Sequence, residues 1–90
     1  MLRVHYFISG MVQGVSFRYF VTKIAEDLDL TGWVRNLPDG RVECVAEGQE
    51  NNVEKFLRML NKGSVLSRVD KVKVEKEEYI GNFSDFKIIH

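Results

Sequence analysis

Between Gly10 and Arg18 the chain carries residue types suited to holding an anion. A strand ends at Gly10, a loop with Gly14 follows, and a helix opens at Phe17 with an arginine in its first turn. Such a joint leaves backbone N–H groups without intrahelical acceptors, and the helix dipole adds positive potential at the same place. Amides arranged in this way form concavities that accept phosphate. Arg18 points in the same direction. A cation in the first turn faces the positive end of the dipole at a cost of about 0.3–1 kcal/mol, and helix stability alone favours Asp or Glu there. From the residues themselves two explanations stand. Either Arg18 binds an anion, or it is a solvated side chain or the partner of a nearby acid.

Other residues with reactive side chains offer less. His5 lies mid-strand and His90 is the last residue, and two distant histidines without acidic companions make no metal site. Both are expected to be packed or solvated, and no metal is expected. Cys44 sits in a strand interior and is expected to be a buried small hydrophobe. Ser9 and Ser16 lack a partnered histidine in any hydrolase arrangement. Asp39 is accounted for by a turn, and the charges from Lys71 to Glu78 by a solvated strand face. No GxxxxGK[ST] phosphate loop is present.

The elements that must position these residues follow from periodicity. Arg3 to Ser9 alternates Val4, Tyr6 and Ile8 with His5, Phe7 and Ser9, a strand pattern. Phe17, Phe20, Val21, Ile24 and Leu28 form one apolar helical stripe, and Gly32 falls where that helix should be over. Trp33 to Asn36 and Arg41 to Glu47 are strands joined by the turn Leu37-Pro38-Asp39-Gly40. Asn51 with Glu54 predicts an N-cap and its capping-box partner. Val53, Phe56, Leu57 and Leu60 then make a second amphipathic helix, which stops at Gly63. A strand with one wet face runs from Val69 to Glu77, and a short last strand from Phe86 to Ile89. The order β-α-β-β-α-β predicts a ferredoxin-like two-layer α+β sandwich: an antiparallel sheet, two helices on one face, and a short extra C-terminal strand. In that topology the first and second strands run the same way, because a helix returns the chain between them. Loop Gly10 to Arg18 and Asn36 therefore meet at one edge of the sheet.

Composition narrows the function classes. Ninety residues predict a single domain, 1–90, with one core. Apolar and charged contents of 44% and 29% are those of a globular protein. A formal net charge of zero argues against a nucleic-acid or anionic-membrane partner, so any anion site must be local. One cysteine makes no internal disulfide, which suits a reducing cytosol. The N-terminus lacks a signal-peptide run, no stretch approaches a membrane span, and a cytoplasmic monomer is expected.

Gly10-Met11-Val12-Gln13-Gly14-Val15-Ser16-Phe17-Arg18 resembles the first acylphosphatase motif, G-x-V-Q-G-V-x-F-R. Gly32-Trp33-Val34-Arg35-Asn36-Leu37-Pro38-Asp39-Gly40-Arg41-Val42 resembles the second, G-x-V-x-N-x-x-D-G-x-V. The motifs are in family order and spacing. The resemblance covers most of the chain and fades after Gly63, where members usually carry a proline and this sequence reads Ser64-Val65-Leu66. It implies hydrolysis of an acyl phosphate without a cofactor, with inorganic phosphate as product and competitive inhibitor. Arg18 matches the phosphate-binding arginine and Asn36 the asparagine that holds the attacking water. The amides of Gln13, Gly14, Val15, Ser16 and Phe17 match the phosphate cradle. The chemistry agrees with these residue types. Phosphoryl transfer needs positioning and charge stabilisation, and a leaving carboxylate, with a pKa of roughly 3.5–4.5, needs no general acid. An RNA-binding domain shares the element order, but strand Arg41 to Glu47 lacks the stacking aromatics. A non-catalytic anion- or metabolite-binding module would keep the loop without needing Asn36. A piece of a larger carbamoyl-transferring maturation protein would bring cysteine-rich or catalytic extensions, so a free-standing enzyme is favoured.

Overall fold

The alternation of Val4, Tyr6 and Ile8 is realised in β1, Leu2–Met11, where all three side chains are buried. The computed structural model describes residues 1–90. After β1 come α1 (Phe17–Asp27), β2 (Thr31–Asn36), β3 (Val42–Gly48), α2 (Glu50–Lys62), β4 (Arg68–Glu77) and β5 (Phe86–Ile88). The sheet order is β4-β1-β3-β2-β5. β1 to β4 pair antiparallel, as the element order predicts, but β5 joins β2 in parallel, so the sheet is mixed. Alternation shows which residues of a strand share a face, not which strand it will join or in which direction.

Both helices cover one face, α1 over β2 and β5, α2 over β4. Phe17, Val21, Ile24 and Ala25 of α1 and Val53, Phe56 and Leu60 of α2 close one core with Val4, Tyr6, Ile8, Val34, Val42, Cys44, Ala46 and Phe86. Phe56 makes edge contacts with Tyr6 at 5.4 Å and with Phe86 at 6.3 Å between ring centres. Each such ring pair adds about 1 kcal/mol beyond area burial. Cys44 is wholly buried, and desolvation pushes its thiol well above its usual pKa.

Two boundary expectations are corrected. Helix α1 is over before Gly32, the chain reversing at Leu28 and Asp29 with Asp29 at φ 56°, but the second strand starts at Thr31 rather than Trp33 and so takes in Gly32. Gly32 has φ 146°, and a Cβ there would collide with the Val45 carbonyl oxygen, so close strand contact explains this glycine. Asn51 is not an N-cap. Helix α2 begins at Glu50, and Gln49 caps it in an extended conformation without a side-chain hydrogen bond. The helix starts two residues earlier than the side-chain signal suggested.

Candidate active site

β1 and β2 both run antiparallel to β3, so their C-terminal ends lie at one edge of the sheet. Gly10 is the last residue but one of β1. Its pairing with β4 slips at this point, and with φ 132° it approaches the Arg68 carbonyl so closely that a Cβ would collide. Farther along, Gly14 takes φ 74° and Ser16 φ 59°. A left-handed serine costs about 1 kcal/mol or more, and here it turns the chain directly into α1. Ser16 does not cap that helix with its side chain, and no acid stands in the first turn.

The consequence is a run of free donors. From Gln13 to Tyr19 no backbone N–H reaches a protein acceptor; the first bond of the helix is Phe20 N to Ser16 O at 3.1 Å. These groups, with the helix dipole behind them, create a local positive potential in a chain of zero net charge. Arg18 forms no ion pair. Pairing with a nearby acid is therefore excluded as the reason for its place. Its Nη1 lies 3.3 Å from His90 Nδ1.

A cleft of about 340 Å³ opens over this loop, lined by Gly14, Ser16, Phe17, Arg18 and Asn36 with Val12, Tyr19 and Ile88. Arg18 and Asn36, 18 positions apart in the sequence, thus share one cavity. Asn36 Oδ1 is shielded from solvent and has no hydrogen-bond partner in the protein. A buried acceptor without a partner costs about 1–3 kcal/mol, and of the three buried side-chain polar atoms in that state, with Tyr6 Oη and Ser64 Oγ, it is the one whose residue lines this cleft.

Gln13 and Val15 are not among the cleft-lining residues. Gln13 turns its side chain away and donates through Nε2 to the carbonyls of Leu37 at 2.8 Å and Arg41 at 2.9 Å. It clamps the loop to the turn that follows Asn36. Asp39 Oδ1 in that turn accepts from Arg41 N at 3.1 Å, the turn role expected of it. That backbone bond, with the Arg41 side chain, holds its carboxyl below the ordinary range.

Tyr19 and Ile88 carried no expected role in a site, and His90 was expected only to be packed or solvated. Ile88 comes to the cleft and His90 to the Arg18 guanidinium because β5 runs parallel to β2, with Ile89 N bonded to Val34 O at 2.9 Å. His5 was expected to lack acidic companions. It has two, Glu43 Oε2 at 2.6 Å and Glu77 Oε2 at 2.8 Å, brought by β3 and β4 on the sheet face away from the helices. No group of three or more His, Cys, Asp or Glu side chains is disposed to hold a metal, and no helix is long and apolar enough to cross a membrane.

The sequence matches the acylphosphatase family over residues 4–88. An acylphosphatase of Syntrophobacter fumaroxidans is 48% identical over 86 residues, 96% of this chain and 89% of the relative. One of Trichormus variabilis is 53% identical over 78 residues, 87% of this chain and 77% of the relative. The crystal structure of acylphosphatase from Bacillus subtilis superimposes with a TM-score of 0.96 at 40% identity, covering all of both chains. Fold, motif order and kinship over the length of the sequence agree, and the chain belongs to the acylphosphatase family of enzymes.

Proposed function

We propose that residues 1–90 act as one acylphosphatase domain in which Arg18 and the loop amides hold the phosphoryl group and Asn36 orients the attacking water. The observation that carries this reading is the pairing of unsatisfied groups. Gly14, Ser16, Phe17, Arg18 and Tyr19, whose backbone N–H groups have no acceptor, line one cleft with Asn36, whose Oδ1 is unpartnered, and the arginine among them is without a carboxylate. Arg18 presents a planar fork to two phosphoryl oxygens. The amides take the others, where they favour the charge distribution of the transition state. The Asn36 carboxamide, acceptor and donor at once, holds a water in line with the bond to be broken. Water oxygen bonds to phosphorus while the bond from phosphorus to the acyl oxygen breaks. That oxygen leaves with the electron pair as part of a carboxylate, and the proton lost by the water is carried away with the inorganic phosphate. The leaving group is stable as an anion, so no acid need protonate it.

On this reading the enzyme is a metal-free cytoplasmic monomer, and phosphate competes with substrate. The buried, solitary Cys44 suits a reducing compartment, and dialysis against a chelator is expected to leave turnover unchanged. The decisive experiment pairs two variants. Arg18→Ala is expected to lower kcat/KM about a thousandfold and to abolish phosphate inhibition. Asn36→Ala is expected to lower kcat strongly while phosphate inhibits as before, because its contact matters mainly in the transition state. The opposite pattern, phosphate inhibition lost with Asn36 and kept without Arg18, overturns the assignment.

A further inference from the structure

A second, apolar groove adjoins the cleft. It encloses about 350 Å³ between Val15, Tyr19 and Phe20 on one side and Val65 and Leu66 on the other. Ser16 and Tyr19 border both spaces, so the two adjoin. A further hollow of about 290 Å³ extends the groove past Phe20 and Val65 to Met59. The apolar side chains are presented to solvent: Tyr19 is 70% exposed, Val65 100% and Leu66 69%. Turn tips usually carry Gly, Asn, Asp or Ser. This one is built to hold Val65 and Leu66 outward, since Ser67 N and Oγ both donate to the Ser64 carbonyl, at 3.2 Å and 3.1 Å, and Ser64 N donates to Ser67 Oγ at 2.8 Å. An exposed apolar cluster beside a ligand cleft marks a binding surface.

Topology says which part of a ligand would reach it. β4 starts at Arg68 opposite Met11, so the 64–67 turn arrives at the same sheet edge as the β1 loop. Across that edge the strands run β4, β1, β3, β2. The β1 loop therefore stands between the groove on its β4 side and Asn36 on its β2 side. In-line displacement puts the attacking water and the leaving oxygen on opposite sides of phosphorus. With the water at Asn36, the leaving carboxyl points past Ser16 and Tyr19 into the groove.

We propose that this groove is the acyl subsite and that the preferred substrates are acyl phosphates carrying an apolar chain of several carbons. The inference rests on the assignment of Asn36 and Arg18 above. The test measures kcat/KM for acetyl, butanoyl and hexanoyl phosphate, whose leaving carboxylates are nearly equal in acidity, so that chain length is the variable. The parent is expected to gain about twofold per methylene, half of the roughly fourfold that full burial of a CH₂ supplies. The hexanoyl-to-acetyl ratio, four methylenes apart, should then be about sixteenfold. Val65→Ser combined with Leu66→Ser is expected to flatten that ratio to near one, whereas Ile80→Ser, another exposed apolar residue away from the groove, keeps it. A flat series in the parent, with acetyl phosphate still turned over, overturns the subsite alone. Acetyl phosphate turnover that survives Arg18→Ala overturns the reading of the cleft, and the subsite with it. A flat series together with a dimer that the double variant dissociates in sedimentation shows a self-docking face, which also overturns the proposal.

Discussion

Two regions of this molecule are rich in polar side chains, and they treat them in opposite ways. On the sheet face turned from the helices, charges are paired. Arg3 Nε donates to Glu77 at 2.9 Å and Nη1 to Glu47 at 3.3 Å; Arg35 Nε donates to Glu43 at 2.6 Å; His5 lies between Glu43 and Glu77. The remaining capacity of Glu47 is taken by the backbone N–H groups of Ile80 at 3.0 Å and Gly81 at 3.1 Å. At the edge where β1 and β2 end, the amides from Gln13 to Tyr19 and Asn36 Oδ1 find no partner in the protein, and Arg18 finds no acid. Buried charge is tolerated where it is paired and hydrogen-bonded. Groups that stay unsatisfied are preorganised for a ligand that supplies the missing partners. The comparison separates polar residues that serve the fold from polar residues the fold leaves free, the ones proposed to serve the reaction.

The sharpest way to break this distinction is to ask whether activity and stability dissociate. Arg18→Ala carries the largest expected effect, the thousandfold loss of kcat/KM, yet its melting temperature in phosphate-free buffer should not fall. Removing a cation from a helix N-terminus relieves repulsion of about 0.3–1 kcal/mol. Adding phosphate should raise the Tm of the parent and of Asn36→Ala, by linkage to folded-state binding, and hardly that of Arg18→Ala. A clear loss of stability in phosphate-free buffer would place Arg18 among the structural polar residues.

Glu47→Ala is the mirror image. It leaves Arg3 and two backbone N–H groups without their acceptor, and a loss of about 3 kcal/mol is expected. Urea unfolding measures that loss, while kcat on the folded fraction should hold. A selective fall in kcat at full folding would show that the two regions are coupled.

Gln13→Leu tests the clamp that joins the loop to the hairpin. Two hydrogen bonds are lost, but Leu37 O keeps Gly40 N and Arg41 O keeps Leu37 N. The stability loss should therefore be about 1 kcal/mol. As a positioning residue Gln13 should act on kcat, by about tenfold, more than on phosphate inhibition. Equal changes in both would mean that the loop amides themselves have been displaced.

The smallest effect is on acid stability. Hydrogen bonds first from Arg3, then from His5, hold Glu77 below the usual glutamate value of about 4.5. Burial pushes Glu43 upward, but Arg35 and His5 outweigh it and leave its carboxyl below that value too. Folded values below unfolded ones mean that the unfolded chain binds more protons in between, so stability rises with pH there. The contribution is complete above about pH 4.5 and is lost as pH falls through the depressed values. Glu43→Gln should show a shallower fall of Tm on acidification than the parent. An unchanged slope would assign acid sensitivity to other carboxyls.

The sequence by itself determined what depends on local spacing. The Val4-Tyr6-Ile8 alternation, the Phe17-Val21-Ile24 stripe and the Leu37-Pro38-Asp39-Gly40 turn needed only neighbours in the chain to be legible. Element order then carried loop Gly10 to Arg18 and Asn36 to one edge. The two motifs named both residues because each lies inside a contiguous segment. Tertiary structure decided what depends on contacts between segments far apart in the chain. His90 stands beside Arg18 across 72 positions, His5 beside Glu77 across another 72, and Gln13 reaches Leu37 across 24. A period of two assigns a side chain to a face of its strand but not to a neighbouring strand. Hence the parallel addition of β5, the ion network over β3 and the apolar groove between α1 and the 64–67 turn appeared only once the sheet was assembled.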